Sequence, residues 1–124
     1  MILYPSGRQG DYVVPNTVTE IEGWAFAYCF DLTSVTIPAS VTHIGDEAFY
    51  DCTALISVII PDSVVEIGNL AFCGCESLMS VFIPKSVKKM DGVFFYQCPA
   101  KVVVDCDNDV YVSEGGVVRQ KNEK

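Results

Sequence analysis

Basic side chains are scarce in this sequence: eight Lys plus Arg stand against sixteen acids, for a net charge of −8. Such a field repels phosphate backbones and argues against nucleic acid as a partner. Histidine occurs once, as His43. A cysteine nucleophile needs a nearby base, and His43 and Cys52 fall on opposite sides of one repeat, so no catalytic group is expected. No apolar run approaches the ~20 residues that cross a bilayer, and membrane insertion is not expected. The opening Met1-Ile2-Leu3-Tyr4-Pro5 has neither a basic stretch nor a cleavage site, so no signal peptide is expected within these residues. Six cysteines include no Cys-x-x-Cys pair, only Cys73-Gly74-Cys75, which speaks against zinc. No cofactor or metal is expected.

What the chain does have is hydrophobic mass and a period. Half of its 124 residues are hydrophobic, enough for one domain with a real core. Pro15, Pro38, Pro61 and Pro84 stand 23 positions apart. In step with them come Val18, Val41, Val64 and Val87, then Ile21, Ile44, Ile67 and Met90. Phe26, Phe49, Phe72 and Phe95 follow, then Cys29, Cys52, Cys75 and Cys98. Leu32, Leu55 and Leu78 precede Val35, Val58, Val81 and Val104, with Ile37, Ile60 and Ile83 closing each unit. A period of this length with a Leu-x-x-Val-x-Ile core is the leucine-rich-repeat signature.

One such unit cannot bury its own apolar side; stacked units share a continuous core. The Leu-x-x-Val-x-Ile segment reads as a short parallel strand with Val and Ile inward, ended by proline. Thr17, Ser40, Ser63 and Ser86 are placed to satisfy turn amides at the corner. Gly45 and Gly68, shifted to Gly23 and Gly92 in the outer turns, suit positive φ. The Ala-Phe-x-x-Cys stretch predicts a short helical or 3₁₀ turn on the far side.

The motif Pro-x-Ser-Val-x-x-Ile-Gly-x-x-Ala-Phe-x-x-Cys-x-x-Leu-x-x-Val-x-Ile, seen best in residues 38–60 and 61–83, resembles the BspA-type leucine-rich repeat. The resemblance implies a right-handed solenoid with parallel strands on a concave face. It also implies a surface or secreted setting, and a role as a non-enzymatic interaction or adhesion module for protein or glycan. The alternative is a spacer in a larger surface protein. The expected layout is a single repeat domain over residues 1–124. Residues 1–14 form a cap strand, four repeats span 15–37, 38–60, 61–83 and 84–106, and 107–124 form a cap hairpin and tail. That hairpin would pair Val102–Val104 with Val110–Val112.

A partner would dock on outward strand positions, which vary without harming the core. Those are Val13, Thr36, Ile59, Phe82 and Asp105, flanked by Asp11, Ser34, Ser57, Ser80 and Val103. Ile59 and Phe82 carry the argument, as large apolar groups where the fold leaves side chains in water. So small a face suits weak or multivalent contact, including weak self-association. Asp105-Cys106-Asp107-Asn108-Asp109 opens like a calcium loop, but Val110 and Gly116 break the pattern. The column Glu20, His43, Glu66 and Lys89 is expected to stack as paired charges. Trp24 is read as a capping residue on the convex side. The four in-register cysteines are expected to be buried thiols, with Cys73 more exposed.

Overall fold

The computed structural model describes residues 10–90, 97–114 and 117–121. Eleven short strands occur among them, and no helix. Five strands lie side by side in a parallel sheet: β1 (Gly10–Val13), β3 (Leu32–Thr36), β5 (Ser57–Ile59), β7 (Ser80–Ile83) and β9 (Lys101–Val104). A second parallel sheet, not anticipated above, is built from two-residue strands: β2 (Glu20–Ile21), β4 (His43–Ile44), β6 (Glu66–Ile67) and β8 (Lys89–Met90). Each unit contributes one strand to each sheet, so the chain winds as a parallel β-solenoid of about four turns.

The apolar columns face one interior. Phe26, Phe49 and Phe72 are wholly buried, and their rings stack at 5.0 and 5.2 Å, nearly parallel. Leu32, Leu55 and Leu78 fill the next column, and Ile21, Ile44 and Ile67 line the second sheet's inner face. Tyr12 packs on the outer side of Phe26, with ring centroids 6.0 Å apart. Phe95 and Gly92 lie outside the described residues.

The far side holds consecutive tight turns where a helical segment was expected. Its amides explain why. Alternate N–H groups point along the stack: Phe26 donates to Ala48 O, Phe49 to Ala71 O and Tyr28 to Tyr50 O. Those between them close local turns, as Ala27 does onto Trp24 O. An α-helix would consume the donors that tie one turn to the next.

Two corner expectations need correction. Gly45 and Gly68, like Gly23, do not adopt positive φ; apart from Gly10 on the first strand, the left-handed positions are Trp24, Glu47 and Leu70 in one column and Tyr28, Asp51, Gly74 and Gln97 in another. The two glycines are required by contact instead, since a Cβ on Gly45 would lie 2.5 Å from the Gly23 amide nitrogen. Ser40, Ser63 and Ser86 donate to the carbonyls of Val18, Val41 and Val64, one turn earlier, at 2.6–2.7 Å, and do not satisfy turn amides.

The fourth turn closes two residues early. Lys101 follows Cys98 by three positions where Ser80 follows Cys75 by five, and Ala100 is buried in the gap. Val81 therefore pairs with Val102, not Val104. The C-terminal hairpin also differs from expectation. Val102–Val104 belongs to the solenoid, and the hairpin is β10 (Tyr111–Glu114) with β11 (Val117–Gln120), packed against β9.

Candidate functional site

The outward positions of the five-stranded sheet form two straight rows. Pairing of Asp11 with Ser34, Ser34 with Ser57, Ser57 with Ser80 and Ser80 with Lys101 makes the first, a polar one. Two residues further along each strand runs the second: Val13, Thr36, Ile59, Phe82 and Val103. The early closure of the fourth turn moves Val103 from the flanking row into this apolar row. It also removes Asp105 from the face. Asp105 lies past the end of β9, half-buried, where its amide donates to Ile83 O and its Oδ1 accepts from the Asp107 amide. Lys101, missed in the sequence reading, takes the place that had been given to Val103.

Every member of the apolar row is exposed, with Val13 and Ile59 at 67%, Phe82 at 51% and Val103 at 39%. Ile56 and Met79, on the other side of the serines, are exposed as well. The serines have small side chains and leave the larger groups standing clear. Asp11 is held in place, accepting from Ser34 Oγ at 2.6 Å and Thr33 Oγ1 at 3.4 Å on the same Oδ1. The face thus carries a contiguous run of three large apolar groups beside a polar margin, the composition of a small contact surface.

The second sheet presents a different surface. Glu20, His43, Glu66 and Lys89 stack in register, as expected. Glu66 bridges His43 Nε2 at 3.7 Å and Lys89 Nζ at 3.6 Å, while His43 Nδ1 shares a 2.8 Å hydrogen bond with Thr42 Oγ1. A polar depression of about 460 Å³ lies between this ladder and the hairpin, lined in part by Asp46, Lys89 and Tyr111. Within it Glu66 is bridged to Lys89, and Asp46 Oδ1 accepts from the Asn69 amide at 2.8 Å.

Trp24 lies half-exposed on the turn side, and the N-terminal segment it was expected to lie under falls outside the described residues. Its ring packs on Tyr28 and Tyr50 with centroids 6.2 and 5.4 Å away, and Tyr28 and Tyr50 are 5.6 Å apart. Rings this close fill the space between themselves and leave no slot for a guest.

Burial and hydrogen bonding along the stack set the character of the column cysteines. Cys52 and Cys75 are buried and donate to Phe26 O and Phe49 O, one turn back, at 2.9 and 3.1 Å. Burial pushes the Cys75 thiol up to about 12. Hydrogen bonding to Cys29, then burial, pushes Cys52 up further. The same Cys29–Cys52 contact holds Cys29 below its ordinary range. Cys29 and Cys98 are only partly buried, and Cys73 is buried, against expectation. Burial raises Cys73 and Cys98 also. The ligand atoms of Asp105, Cys106 and Asp107 lie within 4.8 Å of one another on an exposed turn, where the Asp105 oxygen is engaged by a backbone amide.

Relatives of known structure share this architecture. A leucine-rich repeat protein from Bacteroides ovatus ATCC 8483 is 31% identical with a TM-score of 0.70, over 77% of this chain and 30% of that one. One from Bacteroides capillosus ATCC 29799 is also 31% identical with a TM-score of 0.70, over 81% of this chain and 79% of that one. A leucine rich cell surface protein from Faecalibacterium prausnitzii A2-165 is 29% identical with a TM-score of 0.68, over 86% of this chain and 35% of that one. The chain thus spans about a third of the Bacteroides ovatus and Faecalibacterium structures. No protein of curated function matches the sequence. The pattern of the BspA type leucine rich repeat region matches residues 7–114 in six copies, and the chain belongs to that family.

Proposed function

We propose that this repeat module is a non-enzymatic docking unit of a cell-surface or secreted protein, and that its ligand, a protein or a glycan, binds the outer face of the five-stranded sheet. The observation that carries this reading is the exposed row Ile59–Phe82–Val103 beside the serine row. Fold stability does not ask for large apolar groups there, since the core is complete without them. The raised thiols of Cys52, Cys73, Cys75 and Cys98, and the engagement of His43 by Thr42 and Glu66, favour binding over catalysis. The setting follows the Faecalibacterium relative, described as a cell surface protein.

A second reading is a spacer with no ligand of its own. The small face and the greater length of two structural relatives, of which the match covers 30% and 35%, favour it. The two are separated with arrays of glycans and of extracellular-matrix proteins, probed with the parent chain and with the double variant Ile59→Ser/Phe82→Ser. Docking predicts at least tenfold weaker binding by the variant with an unchanged circular dichroism spectrum. Binding absent for both proteins on every array leaves the spacer, and binding that is equal for both overturns this face as the docking site.

A further inference from the structure

We infer that the same sheet face docks on a second copy of this chain, with the two stacks running in opposite directions about a two-fold axis beside Ser57 and Ile59. The inference rests on the reading of this face as a docking surface and names the occupant.

Charge gives the first reason. The chain carries −8 overall, yet the two rows contain one acid and one base, Asp11 on β1 and Lys101 on β9. This face is therefore balanced on an acidic molecule, and two copies can approach through it with least repulsion. Lys101 is exposed and has no acidic partner among the described residues.

Order gives the second. Asp11 and Lys101 occupy opposite ends of one row, separated by Ser34, Ser57 and Ser80. A two-fold axis along the central strand keeps each row facing its own kind and reverses its direction. Asp11 of each copy then meets Lys101 of the other, Ser34 meets Ser80, and Ser57 lies on the axis. In the apolar row Val13 meets Val103, Thr36 meets Phe82, and Ile59 meets its own counterpart. A two-fold axis along the stack would instead leave like charges at the same end, so the row discriminates between the two arrangements.

Extent sets the strength. Five strands at ~4.8 Å spacing and a width of four residues give a patch of ~20 by ~13 Å. That falls short of the ~800 Å² per partner of a standard interface, so the dimer is weak, with dissociation expected at ~0.1–1 mM.

The test is ¹⁵N-HSQC dilution from ~2 mM to ~20 µM in low salt, with sedimentation equilibrium over the same range. Concentration-dependent shifts are expected at Asp11, Ser57, Ile59, Phe82, Lys101 and Val103, together with a rise toward the dimer mass. Lys101→Asp should weaken association at least tenfold, and Asp11→Lys/Lys101→Asp should restore it. Unchanged circular dichroism controls for the fold, and 0.5 M salt should weaken the parent dimer. A monomer at every concentration, shifts confined to another surface, or failure of the charge exchange to restore association overturns the inference. If the chain is monomeric while array binding persists and is lost in Ile59→Ser/Phe82→Ser, the second copy is the wrong occupant and the docking reading stands. If array binding is absent while the exchange behaves as described, the face docks only on itself.

Discussion

At the scale of the residue, the buried thiols couple folding to alkaline pH. Cys75 has an ordinary value of 9.0 and is raised to about 12 by burial, with Cys98 and Cys73 nearby opposing a further negative charge. Its proton is kept in the folded chain and lost first in the unfolded one. The stabilisation it provides is whole below about pH 9 and is lost as pH climbs toward 12, at about 1.4 kcal/mol per pH unit. Urea unfolding of the parent chain and of Cys75→Ala at pH 8, 9, 10 and 11 measures this. The variant will be less stable at pH 8 through its smaller side chain, but its stability should fall less steeply above pH 9. Parallel slopes would show that the Cys75 thiol ionises as readily folded as unfolded.

At the scale of the element, the close approach of one turn to the next is set by glycine. A Cβ at Gly68 would lie 2.6 Å from the Asp46 amide nitrogen and 2.7 Å from the Gly45 carbonyl carbon, both backbone atoms with no rotamer to yield. Gly68→Ala should therefore cost about 1–3 kcal/mol by forcing two turns apart. Ser57→Ala on the open face should stay within about 0.5 kcal/mol. Thermal unfolding of the pair reads the difference, and a neutral Gly68→Ala would mean the turns are not packed on each other here. The sequence carried the stack and the outward placing of Ile59 and Phe82, because nine positions agree in a 23-residue period and each has a physical side to face. It did not carry the phase of the last strand. In Lys101-Val102-Val103-Val104 three adjacent valines satisfy either alternation, and only the spacing from Cys98 and the small Ala100 tell them apart. The second sheet escaped for a similar reason, since a two-residue strand is too short to show alternation. The first left-handed column gave no signal because Trp24, Glu47 and Leu70 are not residues that mark positive φ, and in the second only Asp51 and Gly74 are of types that favour it.

At the scale of the whole molecule, a stack of turns must end, and the last turn exposes backbone that each earlier turn gives to its neighbour. The C-terminal segment meets this need group by group. The Tyr111 hydroxyl donates to Met90 O and accepts from Met90 N at the edge of the second sheet, and Ser113 Oγ accepts from the Val104 amide on β9. Asn108 is the one buried polar side chain among the described residues. It donates to Pro84 O and Val87 O at 2.9 and 3.1 Å and accepts from the Val110 and Tyr111 amides at 2.8 Å each. An aspartate there keeps the acceptor but turns an oxygen toward two carbonyls, while alanine abandons all four bonds. Both changes should cost about 2–4 kcal/mol. Where that loss is felt follows from the geometry of a stack, in which each turn contacts only its neighbours. Hydrogen exchange of Asn108→Ala should show protection falling at Val87, Met90 and Val102–Val104, with the Phe26 and Phe49 amides nearly unchanged. Equal loss at Phe26, Phe49 and Val102 would instead show that the array unfolds as a single unit, with the hairpin as much a part of its core as the phenylalanine stack.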